Sequence, residues 1–407
     1  MTQRYDDQMR ITELDSPARH RRGDPRPRRR LWKIAAPLIF MLVLAIVWSG
    51  FWFYAASQAT SRISEWQQRE AQGGRAFVCA NQDVGGFPFR LEVSCSEPTF
   101  ELRNLTPELV LSGKFATVLA QVYDPTLLIG EFTGPIMVSE TTAPTNASSL
   151  PGFKPLMSAN WSLAQASLRG LPNAPERLSL VFDNPQVARM ARAAMEPVAA
   201  AKRLELHSRV LSNEPENTAV EIVLRLAAGA APAFHPAIAQ PTDADIGITI
   251  SGLRDLSPKP LVTYLRDLAT TKGKIEIRNA RIAQADVIAT GTGTLGVTPD
   301  GLLDGQVTLT VVGLDKLIKI LGLEEVMNQQ LAQRGGMDKI VSGLDRILPG
   351  LGGAVRGNSG TIAAAGIAML GAPAEVEGKK AIAMPLKFSA GMVSLGPLQI
   401  GQMAPLF

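Results

Sequence analysis

The residues of this chain that could do chemistry are few: three histidines, two cysteines and three glycine-rich motifs. A catalytic triad or a zinc centre needs imidazole, thiolate or carboxylate groups that converge. Of the histidines, His20 lies in an arginine-rich N-terminal stretch, His207 falls on the polar side of an alternating segment, and His235 sits between Phe234 and Pro236 in an Ala/Pro-rich stretch. None has a ligand partner close in sequence. Gly291-Thr292-Gly293-Thr294-Leu295-Gly296 matches the dinucleotide-binding G-x-G-x-x-G letter for letter. That fingerprint works only between a strand and a helix whose first amides hold pyrophosphate, whereas Val297-Thr298-Pro299-Asp300-Gly301 predicts a turn into another strand. Gly357-Asn358-Ser359-Gly360 falls short of the Gly-x-Ser-x-Gly nucleophile elbow, and Gly350 to Gly353 lacks the Lys and Ser or Thr of a phosphate loop. Carboxylates are scattered. The reading is a non-enzymatic protein with no catalytic group, no metal and no cofactor.

The elements around these residues say more. Ile34 to Tyr54 is an uninterrupted run of 21 residues without a charge, and at 1.5 Å per residue it spans about 31 Å, the thickness of a hydrocarbon core. Arg19, Arg21, Arg22, Arg26, Arg28, Arg29, Arg30 and Lys33 precede it and only Arg62 follows closely. The positive-inside rule then places residues 1–33 in the cytoplasm and exports the rest. The expected organisation is a disordered basic cytoplasmic tail (1–33), a transmembrane anchor (34–54), a juxtamembrane helix (55–72) and a periplasmic β-rich domain (73–407), in two lobes or one elongated sheet. The run is too long and too aromatic for a cleaved signal peptide; a twin-arginine reading of Arg28 to Lys33 exports the same domain.

Residues 1–33 carry ten Lys or Arg against five Asp or Glu, which leaves the remainder nearly neutral. The basic pI of 9.1 therefore belongs to a membrane-flanking tail that sets topology and attracts anionic lipid, and no nucleic-acid partner is expected. Two exported cysteines, Cys79 and Cys95, spaced by 16 residues, read as one disulfide. A redox pair ordinarily uses Cys-x-x-Cys.

In the exported part, Lys202 to Val210 alternates: Leu204, Leu206 and Val210 share one face, and Arg203, Glu205, His207 and Arg209 the other. Glu221 to Leu226 repeats the pattern after the turn residues Asn213 to Asn217, giving a hairpin. Asp245 to Ile250, Lys274 to Ile277, Asp286 to Val297 and Leu302 to Val312 continue it. Helices are expected at Pro185 to Ala200, Lys259 to Ala269, Leu314 to Gln333 and Met337 to Leu348. Ile248 to Leu256 and Leu309 to Leu317, 61 residues apart, share the plan strand, Gly-Leu, helix. The fold class is α+β: an N-terminal transmembrane helix, then an elongated, mainly antiparallel sheet with helices packed on it.

Cys79-Ala80-Asn81-Gln82-Asp83-Val84-Gly85-Gly86-Phe87-Pro88-Phe89-Arg90, then Val93 to Pro98, resembles the signature of domain of unknown function 2125, an uncharacterised alphaproteobacterial family anchored in the inner membrane. Met384 to Phe388, Gly391, Leu395 to Leu398 and the Pro405-Leu406-Phe407 ending are similar to the same family. The resemblance implies topology and fold rather than an activity. More remotely, an anchor followed by long alternating strands resembles the AsmA-like envelope proteins, which implies an apolar groove for lipid. Leu204, Leu206, Ile222, Leu224, Ile248 and Ile250 share one face by alternation and are the groove candidates; the same face is otherwise a helix-covered core. The expected partners are the inner membrane, phospholipid or another envelope lipid, and, in the alternative, envelope proteins docked on a scaffold.

Overall fold

The computed structural model describes residues 31–142, 152–171, 175–192, 194–214, 217–256, 259–320, 371–395 and 398–407. Among them the chain is mainly β, with three α-helices. The first, α1, runs unbroken from Leu31 to Gln72. The apolar run and the expected juxtamembrane helix are thus one element, because no Gly or Pro interrupts residues 55–72. Along its apolar part Leu38, Phe40, Leu42 and Ile46 are exposed, and α1 is long and apolar enough to cross a membrane.

After α1 the chain deals strands alternately into two antiparallel sheets. β1 (Arg75–Val78) joins the smaller sheet, and β2 (Asn81–Gly85) and β3 (Arg90–Ser96) the larger. β4 (Thr99–Leu102) and β5 (Leu109–Ser112) return to the smaller, and β6 (Phe115–Gln121) and β7 (Asp124–Thr133) to the larger. β8 (Ile136–Thr142) and β9 (Gly152–Asn160), then β10 (Leu163–Arg169) and β11 (Arg177–Asp183), repeat the exchange. β12 (Gln186–Ala191) and β13 (Ala194–Ala200) complete the smaller sheet of seven strands.

From there the larger sheet grows alone. β14 (Arg203–Ser212), β15 (Thr218–Gly229) and β16 (Thr242–Leu253) lead into α2 (Leu261–Thr271), and β17 (Lys274–Gln284), β18 (Val287–Val297) and β19 (Leu303–Val312) lead into α3 (Leu314–Ile320). β20 (Ala372–Val376), β21 (Lys379–Ser389), β22 (Met392–Leu395) and β23 (Leu398–Gln402) close a sheet of 16 strands.

The alternating segments form the expected hairpins, including β14 with β15, in which Leu206 lies opposite Leu224. The shared strand, Gly-Leu, helix plan holds: a glycine of positive φ stands next to last in β16, Gly252 (82°), and directly after β19, Gly313 (71°). Each is followed by a buried leucine, Leu253 and Leu314.

Two expectations change. Pro185 to Ala200 is the hairpin β12–β13 rather than a helix, with a bulge between Val187 and Ala188. Its alanines favour a helix, but propensity is a small term that pairing in a sheet overrides; Pro197, which has no N–H to give a ladder, lies in the sheet's edge strand. Among the described residues the α+β class becomes a mainly β fold, in which α2 and α3 pack on a small part of the larger sheet. Lys259 to Ala269 corresponds to α2, and the Leu314 helix is described to Ile320; its remainder and the Met337 to Leu348 helix lie outside the described residues. The G-x-G-x-x-G sextet lies inside β18, between β17 and β19, without the helix N-terminus that phosphate binding needs.

Candidate functional site

One face of the larger sheet is apolar across many strands, and register shows it is continuous. Directly opposed residues of antiparallel strands project from the same side, and Val93, Val118, Gly130, Ala166, Leu180, Leu206, Leu224 and Ile246 are opposed in succession from β3 to β16. The opposite face is solvated and held by charge. Arg225 bridges Glu205 (3.8 Å) and Asp245 (3.6 Å), and Glu221 pairs with Arg209 (2.6 Å) and Arg278 (3.3 Å). His207 belongs to this polar face, its Nε2 3.1 Å from Glu205. Arg203, then His207, holds the Glu205 carboxyl below the usual carboxylate range. The other described histidine, His235, caps a short 3-10 turn by accepting from the Ala237 amide at 3.0 Å.

At the β3–β6–β7 end this apolar face, the smaller sheet and the last turns of α1 enclose a cavity of about 680 Å³. The larger sheet contributes Leu91, Val93, Ala116, Val118, Leu128 and Phe132; the smaller sheet Phe77, Phe100, Leu111 and Ile136; and α1 Ala59, Ile63 and Trp66. An aromatic column props the helix on the smaller sheet: Trp66 meets Phe77 at 4.5 Å between ring centroids, and Phe77 stacks on its cross-strand partner Phe100 at 4.2 Å. Trp161 donates from its indole nitrogen to the Phe132 carbonyl (2.7 Å) and fixes that strand end. Phe115, Val118 and Phe132 line this space and remain 37–39% exposed.

The disulfide is present. Cys79 occupies the crossing from β1 in the smaller sheet to β2 in the larger, and is bonded to Cys95 on β3 with Cα atoms 5.5 Å apart. Both cysteines line the cavity, so the bridge ties the two sheets together at its edge.

The six groove candidates share the apolar face, and all are half-buried. None lines the cavity. Ile222 and Ile250 pack beside the buried cluster of Val220, Leu253, Leu268, Ala269 and Val297, where α2 covers the sheet. Leu204, Leu206, Leu224 and Ile248 belong neither to that cluster nor to the cavity lining, and Leu206 and Leu224 stand in the same register row as Val93 and Val118. Sequence reasoning missed the cavity. Its signal was the alternation in Leu91-Glu92-Val93-Ser94-Cys95 and Ala116-Thr117-Val118-Leu119-Ala120, but the opposing wall comes from remote segments.

No cluster of His, Cys, Asp or Glu suited to a metal ion occurs among the described residues. What the arrangement can do is hold an apolar group. The fold and site define an antiparallel β protein with an apolar cleft between two sheets, preceded in the chain by an apolar helix. The chain belongs to DUF2125, a family described as an uncharacterized protein conserved in bacteria, which it matches over residues 52–404. No curated protein and no solved structure matches it.

Proposed function

We propose that the protein is a single-pass inner-membrane protein of the cell envelope, and that it holds or passes lipid by taking acyl chain into the cleft between its two sheets. The observation that carries this reading is the cavity of about 680 Å³, whose walls are almost wholly aliphatic and aromatic. Pockets for small molecules fall in this size range, but ordinarily place several polar groups to orient a polar ligand. A wall whose surface is mainly apolar, with a few polar residues such as Arg62, Gln67 and Gln82 among its lining, suits a hydrocarbon chain, which gains about 0.8 kcal/mol per buried methylene. The half-buried row through Leu206 and Leu224 extends the same apolar face away from the cavity and offers the chain a continuing path.

Export of the β domain is supported by the arginine excess before α1 and by the Cys79–Cys95 bridge, since disulfides persist in oxidising compartments. A reporter fused after Phe407 reads orientation directly: activity in the cytoplasm overturns it. The lipid reading is tested by purifying the full chain in mild detergent and identifying extracted lipid by mass spectrometry. Wild type carries lipid, and Val118→Trp, which fills the cavity from a strand position with open space before it, carries little. A wild type without lipid removes the reading.

A second reading, a scaffold that docks envelope proteins, is favoured by one surface. Phe87, Phe89 and Tyr123 are exposed on two adjacent hairpin ends, joined where the Val122 amide donates to the Phe89 carbonyl at 3.1 Å. Exposed aromatic clusters mark interaction sites.

A further inference from the structure

We infer that the cavity accepts a single-chain amphiphile with an anionic head, and that Arg62 is the residue that recognises the head. The inference rests on the cavity being a lipid site, as proposed above. Volume sets the number of chains. A methylene fills about the 30 Å³ that a water molecule occupies in the liquid, so a chain of about 16 carbons needs roughly 480 Å³ and two such chains roughly 960 Å³. A space of about 680 Å³ is enough for one such chain and falls short of the volume of two.

Charge sets the head. Among the lining residues Arg62 alone is charged. It lies on the first turn of α1 that borders the cavity, between Ala59 and Ile63. It forms an ion pair with Glu65, one turn along the same helix, at 3.3 Å, and the two side chains are 77% and 57% exposed. Such an exposed pair contributes little and is readily exchanged. A guanidinium has five N–H donors in a planar fork that matches a carboxylate or phosphate in two parallel bonds. A chain seated on Ile63 and Trp66 therefore has a cation of suitable geometry at the end of its apolar bed. The other polar groups of the lining, among them Gln67 and Gln82, are neutral and do not favour one sign of head group.

The test is competition observed by native mass spectrometry on the full chain in nonionic detergent, offered equal amounts of palmitate, hexadecanol and dipalmitoyl phosphatidylglycerol. The first two differ in head charge at equal chain length, and the third in chain number. The expected result is one palmitate per protein, favoured over hexadecanol by roughly 3- to 5-fold, the range of a screened, exposed charge contact. Arg62→Gln should bring the two to parity without losing either, and Arg62→Lys should restore part of the preference. Preference for palmitate that survives in Arg62→Gln overturns the role of Arg62, as does parity in the wild type. A dominant diacyl adduct overturns the single-chain assignment. These results leave the cavity reading in place. It fails separately if neither single-chain ligand binds, or if both Val118→Trp and the smaller Ala120→Leu bind them as the wild type does while remaining folded by circular dichroism.

Discussion

Gly291, Gly293 and Gly296 spell one motif and occupy one strand, yet alanine at each should act differently, and the difference tests whether the motif is a strand or a phosphate loop. A Cβ on Gly293 would fall 2.2 Å from the Gln306 carbonyl oxygen and 2.6 Å from the Val307 Cα. Those are backbone atoms of β19, which is paired on both sides, with β18 and β21, and cannot withdraw without distorting two ladders. A Cβ on Gly291 finds its nearest neighbour at 3.6 Å, and one on Gly296 at 3.8 Å, both ordinary contacts. Overpacking of the first kind costs about 1–3 kcal/mol or more, whereas alanine in compatible space gains about 0.4–1 kcal/mol by restricting the unfolded chain. Gly293→Ala should therefore lie about 2–4 kcal/mol below the other two variants. Urea unfolding of the full chain in detergent, followed by far-ultraviolet circular dichroism, separates them: the Gly293→Ala midpoint falls and the other two hold or rise. Three variants of equal stability would refute the argument. So would loss of nucleotide binding at all three positions with stability intact.

Serine at both Cys79 and Cys95 should cost about 3 kcal/mol, the value for closing a loop of this length, and in the native protein both cysteines should resist alkylation until reductant is added. Leu268→Ala in α2, where the side chain is 2% exposed, should cost about 2–5 kcal/mol, while Leu261→Ala on the open side of the same helix should stay within about 0.5 kcal/mol of wild type; urea titration of both variants checks this. Because the Glu205 carboxyl is held below its ordinary range by Arg203 and His207, its stabilisation is complete above the unfolded carboxylate range and is lost as pH falls through the lowered value. Glu205→Gln should therefore lower stability at neutral pH and narrow its gap to wild type under acid, as followed by thermal melts across an acid series.

Alternation made the second half of the sheet legible, because β14 to β17 and β19 carry apolar side chains at period two with turn residues between the strands. Leu204 and Leu206 against Arg203 and Glu205 leave no doubt which residues share a face, and register then pairs Leu206 with Leu224. The first half was less legible. Its strands are short, as in β1 and β4 with four residues each, and successive hairpins go to different sheets, so neighbours in sequence are not neighbours in space. Pro185 to Ala200 misled for a related reason: its alanines carry helix propensity, and only the existing edge of the smaller sheet makes them strands. The cavity could not be read at all from one segment, since Trp66, Phe77, Phe100, Val118 and Phe132 meet only after the two sheets and α1 are assembled.

The contrast between the two covered ends of the apolar face bears on function. At one end α2 lays Leu268 and Ala269 onto Val220, Leu253 and Val297, burying all five, and Ile222 and Ile250 behave there as core. At the other end α1 stands on the Trp66–Phe77–Phe100 column, which rests on the smaller sheet and keeps the helix from collapsing onto β6 and β7. Val118 and Phe132 are left more than a third exposed, although they belong to the face that α2 seals elsewhere. Apolar side chains held apart in this way gain stability from whatever fills the space between them, at about 25 cal/mol for each Å² withdrawn from water. A ligand that binds only the folded cleft must therefore stabilise the fold, and a tryptophan at Val118 should mimic part of that stabilisation while abolishing uptake. That opposition between stability and binding sets a ligand cleft apart from a packing defect, for which filling the space would change stability alone.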